Sequence, residues 1–160
     1  MRVVPFSFAI IALCAVAAGA APLVMARISG PQAAGIMHER HEGMETIGKT
    51  GKAINRELTG SSPNLAVVRA GAAEIAAKSR QAAGWFPAGT GPEVGKTGAK
   101  PEIWQNPQDF AGKLHNFQIA AAAFNAASES GEVGAIKGRF NDLEGTCKAC
   151  HDKYRAEMHH

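Results

Sequence analysis

Hydrophobic residues recur at alternating spacings of three and four along four stretches of the chain, which is the pattern of amphipathic helices. The predicted helices cover residues 31–58, 63–83, 107–128 and 133–154. No long run of strand-forming residues occurs between them. We therefore predict an all-α fold.

Each predicted helix has one inward-facing stripe of residues. The stripe of the first helix consists of Met37, Arg40, Met44, Ile47, Gly51, Ile54 and Leu58. The stripe of the fourth helix consists of Val133, Ile136, Phe140, Leu143, Cys147, Cys150 and Tyr154. Arg40 and Gly51 are unusual choices for a hydrophobic stripe, and both cysteines of the fourth helix lie on its inward stripe.

A long break over residues 84–106 separates the second helix from the third. It is rich in glycine and proline, and a loop of this length without secondary structure is usually functional. Four amphipathic helices joined by two short turns and one long loop predict an antiparallel four-helix bundle. The long loop then lies between helices 2 and 3.

Residues 1–20 have the pattern of a secretory signal peptide. A positive start, Met1-Arg2, precedes an apolar run from Phe6 to Ala18 and a small-residue cleavage site. The alternative is a membrane anchor, but the apolar run is short for a span of about 20 residues. Cleavage would leave residues 21–160 as one domain, exported to the periplasm and not inserted in the membrane. The net charge of +3 and the lack of a basic block argue against a nucleic-acid partner.

Residues 147–151 form the motif Cys-x-x-Cys-His, which is the attachment signature of a c-type haem. The thiols of Cys147 and Cys150 form thioethers with the haem vinyl groups, and His151 becomes the proximal iron ligand. A zinc site would need further ligands at suitable spacing, and a redox dithiol normally lies near a βαβ unit. The sequence therefore predicts one covalently bound haem c on the C-terminal helix.

The position of this motif on the last helix resembles the class II cytochromes c, the family of cytochrome c' and cytochrome c-556. Four segments carry the resemblance. They are Arg40-x-x-x-Met44-x-x-Ile47-Gly48, residues 85–90 (Trp-Phe-Pro-Ala-Gly-Thr), residues 100–104 (Lys-Pro-Glu-Ile-Trp) and residues 147–155 (Cys-Lys-Ala-Cys-His-Asp-Lys-Tyr-Arg). The resemblance is closer to the c-556 type.

The resemblance implies that the first helix lies against the face of the haem opposite His151. Met44 then occupies the distal slot, which is the position that faces the iron on that side. Cytochromes similar to c-556 have a ligating methionine there, and those similar to c' have an apolar side chain that does not ligate. We therefore expect six-coordinate, low-spin His/Met iron and a periplasmic single-electron carrier. The alternative is a five-coordinate binder of nitric oxide or carbon monoxide. Met37 and His41 are weaker candidates for the sixth ligand.

Other contacts with the haem are also expected, and the resemblance implies those of Arg40 and Phe86. Arg40 pairs with a propionate, unless it lies at a solvated edge, and Phe86 lies near the haem or in the core. Arg155 lies beside the imidazole, or is only a last-turn cation favoured by the helix dipole. His41 lies near a propionate or in solvent.

The remaining expectations concern activity and partners. No distal acid–base pair occurs at suitable spacing, so we do not expect an enzyme. The expected partners are periplasmic redox proteins. Members of the resembled family occur as monomers and as homodimers, and the sequence leaves both open.

Overall fold

The computed structural model describes residues 28–157, which form a bundle of four long helices. The elements are α1 (Gly30–Thr59), α2 (Leu65–Gln81), a single-turn α3 (Glu102–Gln105), α4 (Pro107–Ser130) and α5 (Val133–Tyr154). The predicted all-α four-helix bundle is therefore confirmed. The predicted signal peptide lies outside the described residues, so it stays a prediction.

Polar caps set the ends of these helices. Ser29 Oγ accepts from Gln32 N at 3.4 Å, while the Ser29 N–H donates to the Gln32 side chain at 3.0 Å, which forms a capping box before α1. Asn64 Oδ1 accepts from Ala66 N at 3.1 Å, so α2 begins two residues later than predicted. Gly131 ends α4 with φ +78°, a conformation that favours glycine.

Two hydrophobic clusters fill the bundle. The main core draws residues from all four long helices: Ile54, Leu58, Val68, Ala72, Ile75, Phe117, Ala121, Phe124, Ile136, Phe140 and Leu143. A smaller aromatic cluster lies where the long loop meets α4 and the end of α5, and consists of Ile103, Phe110 and Tyr154 with Phe86 and Trp104 against it. None of the stripe residues named above for the first and fourth helices is exposed.

The helices pack in the order α1, α2, α4, α5, each closely against the next. Within the described residues, α1 and α5 hardly contact each other, although they carry Met44 and His151. The two helices that bear the predicted iron-facing residues are thus more widely separated than the packed pairs, and we call this separation between α1 and α5 the gap. No helix in residues 28–157 is both long and apolar enough to cross a lipid bilayer.

The loop between α2 and α4 is docked onto α1 through a tryptophan. The Trp85 ring is only 2% exposed and lies over Gly43, while its Nε1 donates to Glu39 Oε1 at 3.2 Å. Trp104 Nε1 donates to the carbonyl oxygens of residues 86 and 87, both at 3.1 Å. The loop is therefore an ordered part of the fold, and sequence periodicity gave no sign of its contacts.

Candidate haem site

Cys147 and Cys150 lie one turn apart near the end of α5. Within residues 28–157 both are free thiols and half-buried. Cys147 packs against the main core, and Cys150 packs against the aromatic cluster. Burial raises the pKa of both thiols, and Glu144 raises that of Cys147 further. Thiols in apolar surroundings are unlike the low-pKa cysteines of redox dithiols, and they fit attachment to the apolar edge of a haem.

His151 follows directly on the same helix. The residue is exposed, yet the neighbouring protein removes water from part of the ring. This loss of hydration, and then the charge of Arg155, lower the pKa of His151. The neutral imidazole is thereby favoured, which is the form that binds a metal ion. The structure thus places Arg155 close to His151, and any further contact of Arg155 with a haem stays a prediction.

Met44 lies on the inward stripe of α1. It is half-buried and belongs to neither hydrophobic cluster, whereas Ile47, one turn further on, packs against the main core. Met37 lies differently, because its terminal methyl is only 3.0 Å from the point where a Cβ on Gly95 would be. The long loop thus packs on Met37 at Gly95, whereas Met44 is half-buried outside both clusters.

Arg40 has partners other than the propionate that we expected. It is 4% exposed, and its Nη1 donates to Trp85 O at 3.1 Å and Thr90 Oγ1 at 3.3 Å. Its Nη2 donates to Thr90 O at 2.9 Å and Thr97 Oγ1 at 3.0 Å. These four bonds use all four Nη hydrogens. The buried charge is therefore satisfied by the loop, and a propionate contact is not required to explain it.

Phe86 and His41 lie in different surroundings. The Phe86 ring packs edge-on against Phe110 with centroids 4.7 Å apart, and the Arg40 guanidinium lies 5.1 Å from its centroid. Phe86 is therefore part of the aromatic cluster, and its contact with a haem stays a prediction. His41 is exposed, and its ring nitrogen lies within 4.8 Å of carboxylate oxygens of Glu42 and Glu45. The structure favours the solvent-exposed interpretation of His41.

These positions together fit a haem. Two free thiols and a histidine lie on α5, and a half-buried methionine lies across the gap on α1. The gap is bordered by the main core at Cys147 and by the aromatic cluster at Cys150. The residues present supply both covalent attachment points and one axial ligand.

Comparison with known proteins agrees with this geometry over nearly the whole chain. The family model for cytochrome c' matches residues 35–155. Cytochrome c' from Allochromatium vinosum is 37% identical over 153 residues, which cover 91% of this chain and 97% of that protein.

The chain belongs to the cytochrome c' family.

Two solved structures of cytochromes c' extend the comparison. One, described as having an unusual ligand-controlled dimer dissociation, has a TM-score of 0.73 at 32% identity and covers 82% of this chain and 100% of that one. The other is a nitric oxide complex of a variant from Alcaligenes xylosoxidans, with a TM-score of 0.70 at 25% identity, covering 81% and 98%. As a cytochrome c', the chain carries one covalently attached haem c.

The expected six-coordinate His/Met electron carrier is wrong. The relatives from Allochromatium vinosum and Rhodopseudomonas palustris are cytochromes c', and a cytochrome c' variant from Alcaligenes xylosoxidans is solved with nitric oxide bound. In that branch of the resembled family the distal slot holds a side chain that does not ligate. A methionine bonds iron only if the helix brings its sulfur within bonding distance, and the residue type alone does not set that separation.

The sequence did not reveal several residues that build this site of the cytochrome c'. Trp85 and Thr90 are buried in the loop and accept from Arg40, while Gly43 makes room for the Trp85 ring. Asp109 accepts from the Tyr154 hydroxyl across α4 and α5. Two signals were available. Trp85 and Thr90 lie in the segment 85–90 that carries the family resemblance, and Arg40 is a charged residue on an inward stripe, which needs several buried acceptors.

Proposed function

We propose that this cytochrome c' binds nitric oxide or carbon monoxide at a five-coordinate haem iron. Cys147 and Cys150 would hold the haem through thioethers, and His151 would be the one protein ligand of the iron. When bound, the haem supplies an iron centre that takes a diatomic gas as its sixth ligand. The proposal includes no catalytic step.

The observation that carries this proposal is the placement of Met44. It is half-buried on the inward stripe of α1, the helix that the gap separates from α5, and it packs against neither hydrophobic cluster. A half-buried side chain outside both clusters can move aside when a small ligand enters. Met44 would therefore cover the distal face without bonding the iron and would slow the entry of a gas. The nitric oxide complex of the Alcaligenes relative supports this interpretation.

The cellular setting is part of the same proposal. The pattern of residues 1–20 favours export to the periplasm, where redox proteins would keep the iron ferrous for gas binding. Both a monomer and a homodimer are compatible with this function. The relative described as having a ligand-controlled dimer dissociation favours a homodimer.

Replacing Met44 with alanine should increase the association rate of carbon monoxide with the reduced holoprotein about tenfold. Such an increase corresponds to removing about 1.4 kcal/mol of steric cost. Flash photolysis or stopped-flow mixing measures the rate. Met44→Leu keeps a side chain of similar size and should stay within about twofold of the native rate.

Met37→Ala is the matched control, because Met37 lies on the same helix but under the loop at Gly95. It should leave the association rate unchanged. Native protein that fails to bind carbon monoxide would refute the proposed function. Equal association rates in the native protein and the Met44→Ala variant would refute the covering role of Met44.

A further inference from the structure

The last turn of α5 carries His151 and ends three residues later at Tyr154. The last carbonyl groups of a helix have no N–H donor within the helix, and the final turn frays unless other groups hold it. A histidine in such a turn would move with it. Here the turn is held by side chains of α4 and by the backbone of the long loop.

The attachment to α4 runs through Asp109 and Tyr154. Tyr154 is 3% exposed, and its hydroxyl donates to the Asp109 carboxylate at 2.5 Å. Lys153 Nζ donates to the same carboxylate at 3.0 Å, but the side chains of Lys153 and Asp109 are each about half exposed. The Tyr154 ring also packs edge-on against Phe110, with centroids 5.2 Å apart. A hydroxyl bonded to a carboxylate is a short, charge-assisted hydrogen bond, which makes it the strongest of these contacts.

The attachment to the loop runs through residues 97–100, which we call the strap. Lys100 N donates to Tyr154 O at 2.9 Å, and Ala156 N donates to Gly98 O at 2.8 Å. Thr97, at the other end of the strap, accepts from Arg40 Nη2 at 3.0 Å. The strap therefore joins the end of α5 to α1, at a residue one turn before Met44.

We propose that Asp109 and Tyr154, together with the strap, are positioning residues for His151. They keep the last turn of α5 formed, so that the imidazole remains bound to the iron when a gas occupies the opposite face. His151 would be the one protein ligand of a bound haem iron, and a histidine on a loosely held turn would leave the iron more readily. This inference rests on the proposed function.

The test compares Tyr154→Phe with the native holoprotein. The phenylalanine keeps the ring, its burial and its contact with Phe110, but it loses the hydrogen bond to Asp109. Amide hydrogen exchange of residues 151–155 should become about tenfold faster, because losing one hydrogen bond to a charged group favours local opening. Resonance Raman of the unliganded ferrous protein should show a lower iron–histidine stretching frequency. After mixing with nitric oxide, loss of the His151 bond should be about tenfold faster.

Two further variants separate positioning from a general effect. Asp109→Ala should change all three measurements as Tyr154→Phe does. Asp109→Asn should give values between those of Asp109→Ala and the native protein, since an amide oxygen still accepts from the Tyr154 hydroxyl. Lys153→Gln removes the exposed ion pair to the same carboxylate and should behave like the native protein.

Native values for Tyr154→Phe in all three measurements would overturn the proposal. Faster exchange with an unchanged iron–histidine stretch and unchanged histidine loss would overturn it too, because the turn would then be held without positioning His151. The exchange and Raman measurements need no gas. A protein that binds no gas would therefore refute the proposed function, while these two measurements would still decide the role of Tyr154 and Asp109.

Discussion

Replacing Arg40 with leucine is expected to lower the free energy of unfolding of the holoprotein by about 4 kcal/mol. The substitution removes the donor for two backbone carbonyls and two threonine hydroxyls in the docked loop. Each buried acceptor left without a donor costs about 1–3 kcal/mol, and water entering the loop offsets part of the sum. Urea unfolding followed by far-UV circular dichroism measures the loss.

Two control variants sharpen the Arg40 prediction. Arg40→Lys should fall between the native protein and Arg40→Leu, because an ammonium has three donors and lacks the planar fork. Arg139→Leu removes an arginine from an exposed ion pair with Asp142 and should change stability by less than about 1 kcal/mol. A loss below about 1 kcal/mol for Arg40→Leu would contradict the docking of the loop through Arg40.

Replacing Gly43 with alanine is expected to lower the free energy of unfolding by about 2 kcal/mol. The new Cβ would lie 2.2, 2.4 and 2.9 Å from three atoms of the Trp85 ring. The ring is rigid and buried, its Nε1 is bonded to Glu39, and its backbone carbonyl is bonded to Arg40, so it cannot move aside cheaply. Overpacking of this kind lowers stability by about 1–3 kcal/mol, and the better helix propensity of alanine offsets part of this loss.

Gly138→Ala in α5 is the matched control for Gly43→Ala. Gly138 is exposed, and no atom lies within 4 Å of the position of an added Cβ. The control should therefore raise stability by about 0.5–1 kcal/mol, because alanine is the better helix former. Equal stabilisation by both substitutions would contradict the close packing of Trp85 on α1.

Most of the bundle could be predicted because its signal is local and periodic. The stripe on α5 is one example, since every residue named in it from Val133 to Tyr154 is buried or half-buried. The Cys-x-x-Cys-His motif is a second example, because two attachment points and the axial ligand lie within one turn of a helix. The start of α2 was less predictable. The predicted helix begins at residue 63, whereas the capping side chain is Asn64 and the helix begins at Leu65.

The contacts of the long loop and the coordination of the iron could not be predicted from local sequence patterns. Arg40 bonds to residues 45 to 57 positions away, and no periodicity links those positions. The order of the loop therefore becomes visible only once the chain is folded. Met44 is a different case, because a methionine in the distal slot can ligate or merely cover the iron. The distinction depends on the separation between α1 and the haem, which the packing of the whole bundle determines.

The coordination number of the ferrous iron without added ligand is the most direct test of the gas-binding site. Resonance Raman and visible absorption spectra of the reduced holoprotein report it, before and after addition of carbon monoxide. A five-coordinate, high-spin iron with an iron–histidine stretch, converted promptly to a six-coordinate low-spin form by carbon monoxide, is the predicted result. A low-spin spectrum without added ligand that carbon monoxide leaves unchanged would contradict it.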